Sequence, residues 1–255
     1  MTAPRKGASR PADVPAEVLA RLNAGTLETA TLAEGLAMDF RTLLRAIEPQ
    51  VSEDELAPLA PTVGISRRMG LAADRLLNRR GPDGFAALAV HPSDTVRGWA
   101  AYVLARLPGL TLAERLEQLR PLADDSHFGV REWAWLAMRA HLAADIACSV
   151  RLLQPWTAVA SANLRRFAVE SVRPCGVWCA HIAALKEDPT LGLPLLEPLK
   201  ADRAKYVQDS LANWLNDAAK SKPDWVRALT RRWRHDSPCA ETQRICHRAE
   251  RSIKG

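Results

Sequence analysis

The sequence predicts an all-α protein in which pairs of helices stack into an α-α superhelix, or solenoid. Two observations support this prediction: a short signature recurs along the chain, and the segments around it place apolar residues at helical intervals. Alternating strand patterns and Asn-Gly hairpin turns are missing from the sequence. Because one helix pair cannot bury its apolar side alone, repeated pairs have to stack on one another.

The signature consists of an aliphatic residue, Arg, a variable residue, an aromatic residue and Ala. It occupies 96–100, 130–134 and 164–168, so each copy starts 34 residues after the previous one. A fourth copy at 207–211 starts 43 residues after the third, with Gln in place of Arg and no aromatic residue, and a fifth lies near 243–245. Arg soon after an aliphatic residue, on the second helix of a pair, resembles HEAT repeats, whose period is about 40 residues. HEAT-like repeats are therefore the predicted unit of the superhelix.

Turn-forming residues predict where the helices end. The apolar spacing of residues 110–119 and 185–199 predicts a helix in each window. Residues 1–15 contain basic side chains without an apolar run behind them, which predicts a disordered basic leader rather than a secretory signal. Residues 16–255 are then predicted to form a single repeat domain. The predicted helix boundaries lie at 81–84, 91–94, 120–122 and 222–224.

The composition limits the classes of partner. Lys and Arg outnumber Asp and Glu by 35 to 29, and the isoelectric point near 9.3 favours an anionic partner only weakly. No stretch approaches the ~20 apolar residues of a membrane span, so we expect a cytoplasmic protein without a membrane partner. The cysteines form no CxxC pair, and we expect reduced thiols, no metal site and no cofactor. The five cysteines are Cys148, Cys175, Cys179, Cys239 and Cys246.

Comparison of the copies position by position separates a core stripe from other helix faces. The aliphatic, aromatic and Ala positions form one stripe and are predicted to be core. The signature Arg is predicted to hydrogen-bond an Asp within or between repeats, as HEAT repeats do. Asp125 and Asp202 stand six residues before the Arg or Gln of a signature and are the candidate partners. The signature arginines are Arg97, Arg131 and Arg165.

The variable residue of the signature shares a second helix face with the residues that stand three, four and seven positions after it. This face holds one acidic residue in each of the later repeats, Glu132, Glu170 and Asp209, with Arg, Asn and Trp beside them. Stacked second helices would line these carboxylates along a concave surface. Carboxylates weaken phosphate binding unless they face a cation, so the alternatives are a cationic ligand or pairing with the arginines beside them. Neighbouring Trp side chains favour a cationic heterocycle.

Longer strings around these positions resemble the bacterial DNA alkylation repair glycosylases built from HEAT repeats, the AlkC/AlkD superfamily, and in particular its AlkC branch. The resemblance covers residues 27–255. It implies a monofunctional glycosylase that removes positively charged alkylated bases, with 3-methyladenine favoured, from double-stranded DNA. Some AlkC-like proteins add a C-terminal immunoglobulin-like domain, which we do not expect in a sequence that ends at Gly255. The matching strings lie at 31–40, 91–100, 128–135, 165–178 and 206–217.

The resemblance also implies a role for the carboxylates. A cationic base leaves without a strong general acid, and a fixed carboxylate stabilises the positive charge that develops on the sugar and positions a water. Glu170 and Asp209 are the first candidates for this catalytic role, and Glu132 is the third.

Two further sets of residues follow from the same resemblance. The first stacks on the lesion and the second contacts the DNA, with the phosphate backbone as the main target of the arginines. The predicted lesion-stacking residues are Trp135 and Trp178, with Trp133 and Trp214 as secondary candidates because they also fit the core stripe. The predicted DNA-binding residues are Arg139, Arg165, Arg166, Arg173 and Asn213.

Two other functions remain alternatives at this point. HEAT-like stacks commonly serve as non-catalytic scaffolds that bind DNA or protein in a groove, so the fold alone favours a scaffold. An inactive relative that binds lesions without removing them is the third hypothesis. In each case we expect a monomer with no obligate protein partner.

Overall fold

The computed structural model describes residues 5–253, and within that range every regular element is a helix. No strand occurs among these residues, which confirms the predicted all-α class. No helix in the described range is long and apolar enough to cross a membrane. The α-helices are α1 Ala16–Asn23, α2 Leu32–Ala37, α3 Phe40–Ile47, α4 Glu53–Leu56, α5 Ile65–Arg80, α6 Gly84–Ala89, α7 Asp94–Arg106, α8 Leu112–Ala123, α9 Phe128–Ala144, α10 Ile146–Leu153, α11 Ala162–Glu170, α12 Ala183–Glu187, α13 Leu193–Leu196, α14 Lys205–Ala219, α15 Pro223–Asp236 and α16 Ala240–Ala249.

The chain divides into two compact units. The first comprises Met1–Leu110 and Asp125–Ala137, and the second comprises Thr111–Asp124 and Met138–Gly255. In the first unit, α7 packs against both α5 and α6. In the second unit, α14 packs against α11 on one side and α16 on the other. The predicted single domain over 16–255 stays a prediction.

The signature copies lie where the periodicity predicts them, on α7, α9, α11, α14 and α16. Their core stripe is buried, as predicted. Trp99 is fully buried and meets the ring of Phe40 edge-on, with ring centroids 5.5 Å apart. Phe167 packs against Trp156 at 5.2 Å. The repeat therefore places its aromatic side chains inside the helical stack, where their large apolar area contributes most to stability.

The signature Arg ties the start of its own helix to the preceding turn. In three copies its Nη1 donates to the two carbonyl oxygens that stand five and six residues earlier, at 2.6–3.2 Å. Gln208 retains half of this pattern and donates to the carbonyl of Asp202, six residues earlier, at 2.7 Å. Arg97 donates to the carbonyls of His91 and Pro92, Arg131 to those of Asp125 and Ser126, and Arg165 to those of Val159 and Ala160.

The same arginines also reach the turn before a later signature helix. Arg97 Nε donates to Asp125 at 2.8 Å, and Arg165 Nε donates to Asp202 at 2.6 Å. The Arg–Asp pair therefore links successive repeats, which decides between the two predicted alternatives. The guanidinium of Arg165 therefore has a structural role, and its predicted contact with DNA stays a prediction.

Three local expectations are corrected. The window 185–199 is broken helix rather than one helix, because Pro189, Pro194 and Pro198 start new short segments. The boundary predicted at 120–122 does not exist, since α8 runs through Pro121 and ends at Ala123. Part of the predicted disordered leader is held in place by contacts within the first unit.

The leader segment has definite contacts from Arg5 onward. Arg5 donates to both carboxylate oxygens of Glu34 at 2.5 and 2.6 Å, and the Glu34 side chain is fully buried. A short 3-10 helix follows at Pro11–Asp13. The expected disorder therefore does not apply to this part, and residues 1–4 lie outside the described range.

The Arg165–Asp202 link should be a main contributor to stability. The Asp202 side chain is only 6% exposed, so Asp202→Ala leaves the guanidinium without its charged partner. We expect the free energy of unfolding to fall by about 2–3 kcal/mol, measured by urea denaturation. Asp13→Ala, which removes the exposed partner of Arg10, is the control and should cost at most about 1 kcal/mol. Equal losses in the two variants would contradict the structural role of the link.

Candidate functional site

A buried ion cluster lies in the second unit, where α11 ends. Glu170, the last residue of α11, is 3% exposed. One carboxylate oxygen accepts from Arg173 Nη1 at 2.8 Å, and the other accepts from the Ser210 hydroxyl at 2.6 Å. Arg166 lies 3.7 Å from the second oxygen. Glu170 is thus surrounded by donors from α11, the following turn and α14.

Arg173 extends this cluster to a second carboxylate. Its Nε and Nη2 lie 2.9 and 2.7 Å from the same oxygen of Asp217, a residue of α14 that is 3% exposed. Lys220 contacts the other oxygen of Asp217 at 2.8 Å. Asp217 stands at the end of a string that the sequence singles out, two turns beyond Asp209, yet its role depends on a contact 44 residues away along the chain. Periodicity alone cannot reveal such a contact.

The charges in the cluster stabilise one another. Burial alone would raise the pKa of Glu170, but the charges of Arg166 and Arg173, with hydrogen bonds from Ser210 and Arg173, hold that pKa below its ordinary value. Burial would lower the pKa of Arg173, and the carboxylates of Glu170 and Asp217 raise it instead. Both partners therefore remain charged at neutral pH, so Glu170 acts as a fixed negative charge and not as a proton donor.

The arginines predicted to bind DNA lie inside the unit. Arg139 is 4% exposed, and its guanidinium donates to the carbonyls of Ser171, Arg173 and Ala180 at 2.9, 2.5 and 3.2 Å. Arg166 is 9% exposed and lies 4.4 Å from the centre of the Tyr206 ring. Because backbone carbonyls and buried carboxylates occupy these side chains, the structure gives them a role inside the unit, and the contact of Arg139, Arg166 and Arg173 with the DNA backbone stays a prediction.

The turn held by Arg139 presents an aromatic side chain to solvent. Trp178 is 50% exposed and its φ of 61° lies in the left-handed region, which is rare for a residue other than glycine. The ends of the turn are fixed by Arg139 and by the hydrogen bond from Ile182 N to Pro174 O at 3.0 Å. A strained, exposed aromatic residue on a braced turn is an arrangement found at ligand-binding sites.

The other predicted lesion-stacking residues are buried. Trp214 is fully buried and donates its indole N–H to the carbonyl of Val172 at 3.0 Å. Trp133 and Trp135 are 8% and 4% exposed. The structure therefore keeps Trp178 as the candidate with an accessible ring face and places the other three in the core.

Glu132 belongs to the first unit and is half-buried on α9. The indole N–H of Trp135, one turn further along the helix, donates to a carboxylate oxygen of Glu132 at 2.8 Å. This hydrogen bond orients the carboxylate. Trp135 thus contributes as an orienting donor and not as the stacking surface that the sequence predicts.

Asp209 lies beside a row of arginines on α16 and just beyond its end. Arg244 Nη2 donates to Asp209 at 2.6 Å, and Arg248 Nε lies 3.2 Å from the same oxygen. Arg251 donates to the side-chain oxygen of Asn213 at 2.9 Å, so Asn213 is a partner of this row. We name Arg244, Arg248 and Arg251 the arginine row.

The arginine row carries excess positive charge at the surface. The side chains of Arg244 and Arg248 are 32% and 40% exposed, and the one carboxylate between them, Asp209, is 42% exposed. Burial, and after it the charge of Arg248, lowers the pKa of Arg251. Sequence reasoning missed this row, although Arg at 244, 248 and 251 has helical spacing.

The described residues contain no group of three or more His, Cys, Asp or Glu side chains that could hold a metal ion. The five cysteines are free thiols.

Comparison with solved structures finds three proteins with similar folds. The alkylpurine DNA glycosylase AlkC of Pseudomonas fluorescens, bound to DNA containing an abasic site analog, matches with a TM-score of 0.64 and 25% identity over 84% of this chain and 60% of that chain. AlkD2 from Streptococcus mutans matches with a TM-score of 0.62 and 20% identity, over 76% and 92% of the two chains. The protein smu.31 from Streptococcus mutans UA159 matches with a TM-score of 0.59 and 20% identity, over 74% and 96%.

Comparison of sequences adds one relative. The uncharacterized protein YhaZ of Bacillus subtilis is 34% identical over 122 residues, which are 48% of this chain and 33% of YhaZ. No family model matches the chain. The chain thus spans a third of YhaZ and 60% of the AlkC structure.

These similarities define the class of protein. The fold is the all-α superhelix of HEAT-like repeats that the sequence predicts. The chain therefore has the fold of the AlkC/AlkD superfamily, and the similarity does not distinguish the AlkC branch from the AlkD branch.

The depressed pKa of Glu170 predicts a pH-dependent contribution to stability. A carboxylate whose pKa is lower in the folded state contributes stability above its unfolded pKa, about 4.5, and loses it as the pH falls through the folded pKa. We expect Glu170→Gln to be less stable than wild type at pH 7, with the difference shrinking between pH 5 and pH 3. Urea denaturation at several pH values measures this.

The control for that series is Glu117→Gln, whose side chain is 74% exposed. Its stability should follow that of wild type at every pH. A Glu170→Gln difference that stays constant with pH would mean that Glu170 is not held as a paired carboxylate.

Proposed function

We propose that the protein is a monofunctional, AlkC-like DNA glycosylase that excises positively charged N-alkylated bases, 3-methyladenine above all, from double-stranded DNA. The observation that supports this most is the structural similarity, over 84% of the chain, to an alkylpurine DNA glycosylase bound to DNA with an abasic site analog. The proposed enzyme needs no cofactor. It acts as a monomer in the bacterial cytoplasm, bound to the nucleoid through its DNA substrate.

The proposed chemistry rests on fixed negative charge. A base alkylated at N3 is already cationic, so the glycosidic bond breaks without a strong general acid and positive charge develops on the sugar. A preorganised carboxylate stabilises that charge and orients the attacking water. The candidate carboxylates are Glu132, Glu170 and Asp209.

The side chains around each carboxylate indicate which of the three best suits the transition-state role. Arg166 and Arg173 offset the charge of the buried Glu170, which suits a residue that positions the Trp178 turn through Arg173. The arginine row offsets the charge of Asp209, which suits a residue that modulates phosphate binding. Glu132 is half-buried, and the indole N–H of Trp135 orients its carboxylate, so Glu132 is our first candidate for the transition-state role.

Trp178 supplies the proposed contact with the lesion. A cationic base is attracted to the face of an indole ring through the ring quadrupole, and stacking adds to this attraction. Half of the Trp178 side chain is exposed on a turn that Arg139 braces, so little ordering is needed when a base stacks on it.

The arginine row supplies the proposed contact with the DNA backbone. Arg244, Arg248 and Arg251 share one helical spacing, and arginine binds phosphate oxygens with two parallel hydrogen bonds. Contacts of this kind do not depend on base sequence, which suits a repair enzyme, and they weaken as salt is raised.

The first test is release of free 3-methyladenine from methylated DNA. We expect wild type to release the base, and Glu132→Gln to slow single-turnover release by about 100-fold, because the charge is lost while Gln still accepts the Trp135 hydrogen bond. Glu117→Gln is the matched control and should retain the wild-type rate. DNA binding without base release by wild type would instead support the non-catalytic scaffold, and a full rate in Glu132→Gln would move the transition-state role to another carboxylate.

The second test removes the exposed indole. We expect Trp178→Ala to lower the rate of base release by about 10- to 100-fold, since base stacking contributes about 1–3 kcal/mol, while Trp178→Phe keeps part of the rate. Leu191→Ala removes an apolar side chain of similar exposure, 39%, and is the control. Thermal unfolding should change little in all three. An unchanged rate in Trp178→Ala would exclude the indole from lesion binding.

A further inference from the structure

Helix α15 carries three arginines on one face, at positions 227, 231 and 234. Residues four and seven apart lie on the same side of a helix. Together with Glu250 and Ile253 near the end of α16, these arginines line a pocket with a volume of about 350 Å³. The pocket belongs to the second unit, in which α15 packs against α16.

The charges of this pocket are only partly offset. Arg234 forms two hydrogen bonds to Glu250, at 3.0 and 2.7 Å. Arg227 contacts Asp224 at 3.0 Å, but the Asp224 side chain is 93% exposed and such pairs are weak. Arg231 is exposed and makes no hydrogen bond or ion pair within residues 5–253. The lining therefore holds three positive groups and one negative group.

Glu250 remains ionised among these arginines. Burial alone would raise its pKa, but hydrogen bonds from Arg234 and Thr230 and the charges of Arg234 and Arg227 lower it. The single negative charge of Glu250 offsets the positive charge of one of the three arginines. The pocket thus keeps an excess of positive charge at neutral pH.

Packing of α15 does not require arginine at these positions. The helix is held by its other side, where Val226, Leu229 and Trp233 are buried. Like charges four residues apart destabilise a helix, so Arg227 and Arg231 oppose its formation unless an anion lies between them. The guanidinium group matches phosphate oxygens in shape and charge, and Ile253 gives the pocket one apolar wall beside this basic surface.

We propose that this pocket binds a phosphate group, with Arg231 and Arg227 as the donors and the Arg234–Glu250 pair as its rear wall. The phosphate belongs either to the DNA backbone, in which case the inference rests on the proposed DNA binding, or to a free phosphate compound. The arginine row contacts α14 through Asp209, whereas this pocket faces α15, so the two are separate anion sites on the two sides of α16.

The test uses Arg231→Gln in the full chain, because Arg231 is exposed and its loss should leave the melting temperature unchanged. Binding to an undamaged DNA duplex is followed by fluorescence anisotropy at several salt concentrations. We expect weaker binding, and a slope of log K against log salt that is smaller by about one, the loss of one phosphate contact. Arg151→Gln is the matched control, since it removes the same charge from an exposed arginine of α10.

Glu250→Gln provides the opposite change. Loss of this carboxylate releases the two donors of Arg234, so we expect duplex binding several-fold tighter than in wild type. A parallel arm measures the rise in melting temperature caused by inorganic phosphate in each variant. An unchanged duplex affinity with loss of phosphate-induced stabilisation in Arg231→Gln identifies a free phosphate compound as the ligand.

The inference is overturned when Arg231→Gln matches Arg151→Gln in both duplex binding and phosphate-induced stabilisation. Failure of the proposed glycosylase function would be seen in a different measurement, the release of methylated base. If wild type releases no methylated base but Arg231→Gln still changes the salt slope, the phosphate pocket stands and the glycosylase proposal falls.

Discussion

The link between a signature arginine and the turns around it is the interaction on which the rest of the structure depends. Each guanidinium bonds two carbonyls before its own helix, and Arg97 and Arg165 also reach an aspartate before a later signature helix. Five donors in one planar group allow a single side chain to satisfy the carbonyls of one turn and a carboxylate of another. This link requires an aspartate-bearing turn before the later signature helix, so it constrains the distance between successive signatures.

The same guanidinium chemistry serves two purposes in the chain, and burial separates them. Inside the units, Arg139 and Arg173 are occupied by carbonyls and carboxylates and brace the turn that carries Trp178. At the surface, the arginine row and the α15 pocket have fewer carboxylates than arginines. A protein that binds a polyanion needs the second set. The first set provides the rigid support that keeps site residues in place before a ligand arrives.

Fixed charge also explains why the candidate carboxylates differ. Glu170 lies between two arginines, Asp209 lies against the arginine row, and Glu132 is oriented by an indole N–H. All three lie on the same face of the repeat helices, so the repeat pattern alone treats them as equivalent. Their partners differ from one carboxylate to the next, and those partners determine the electrostatic surroundings of each negative charge.

The sequence by itself determined the fold class, the positions of the signature helices and the core stripe, because these depend on local spacing that every repeat shares. The tertiary structure alone decided which polar side chains are accessible. The buried state of Arg139 and Trp135, the place of Asp217 beside Arg173, and the surface arginines of α15 and α16 all depend on contacts between distant segments. A helical pattern states which residues share a face, but the neighbouring helices determine whether that face meets solvent or another side chain.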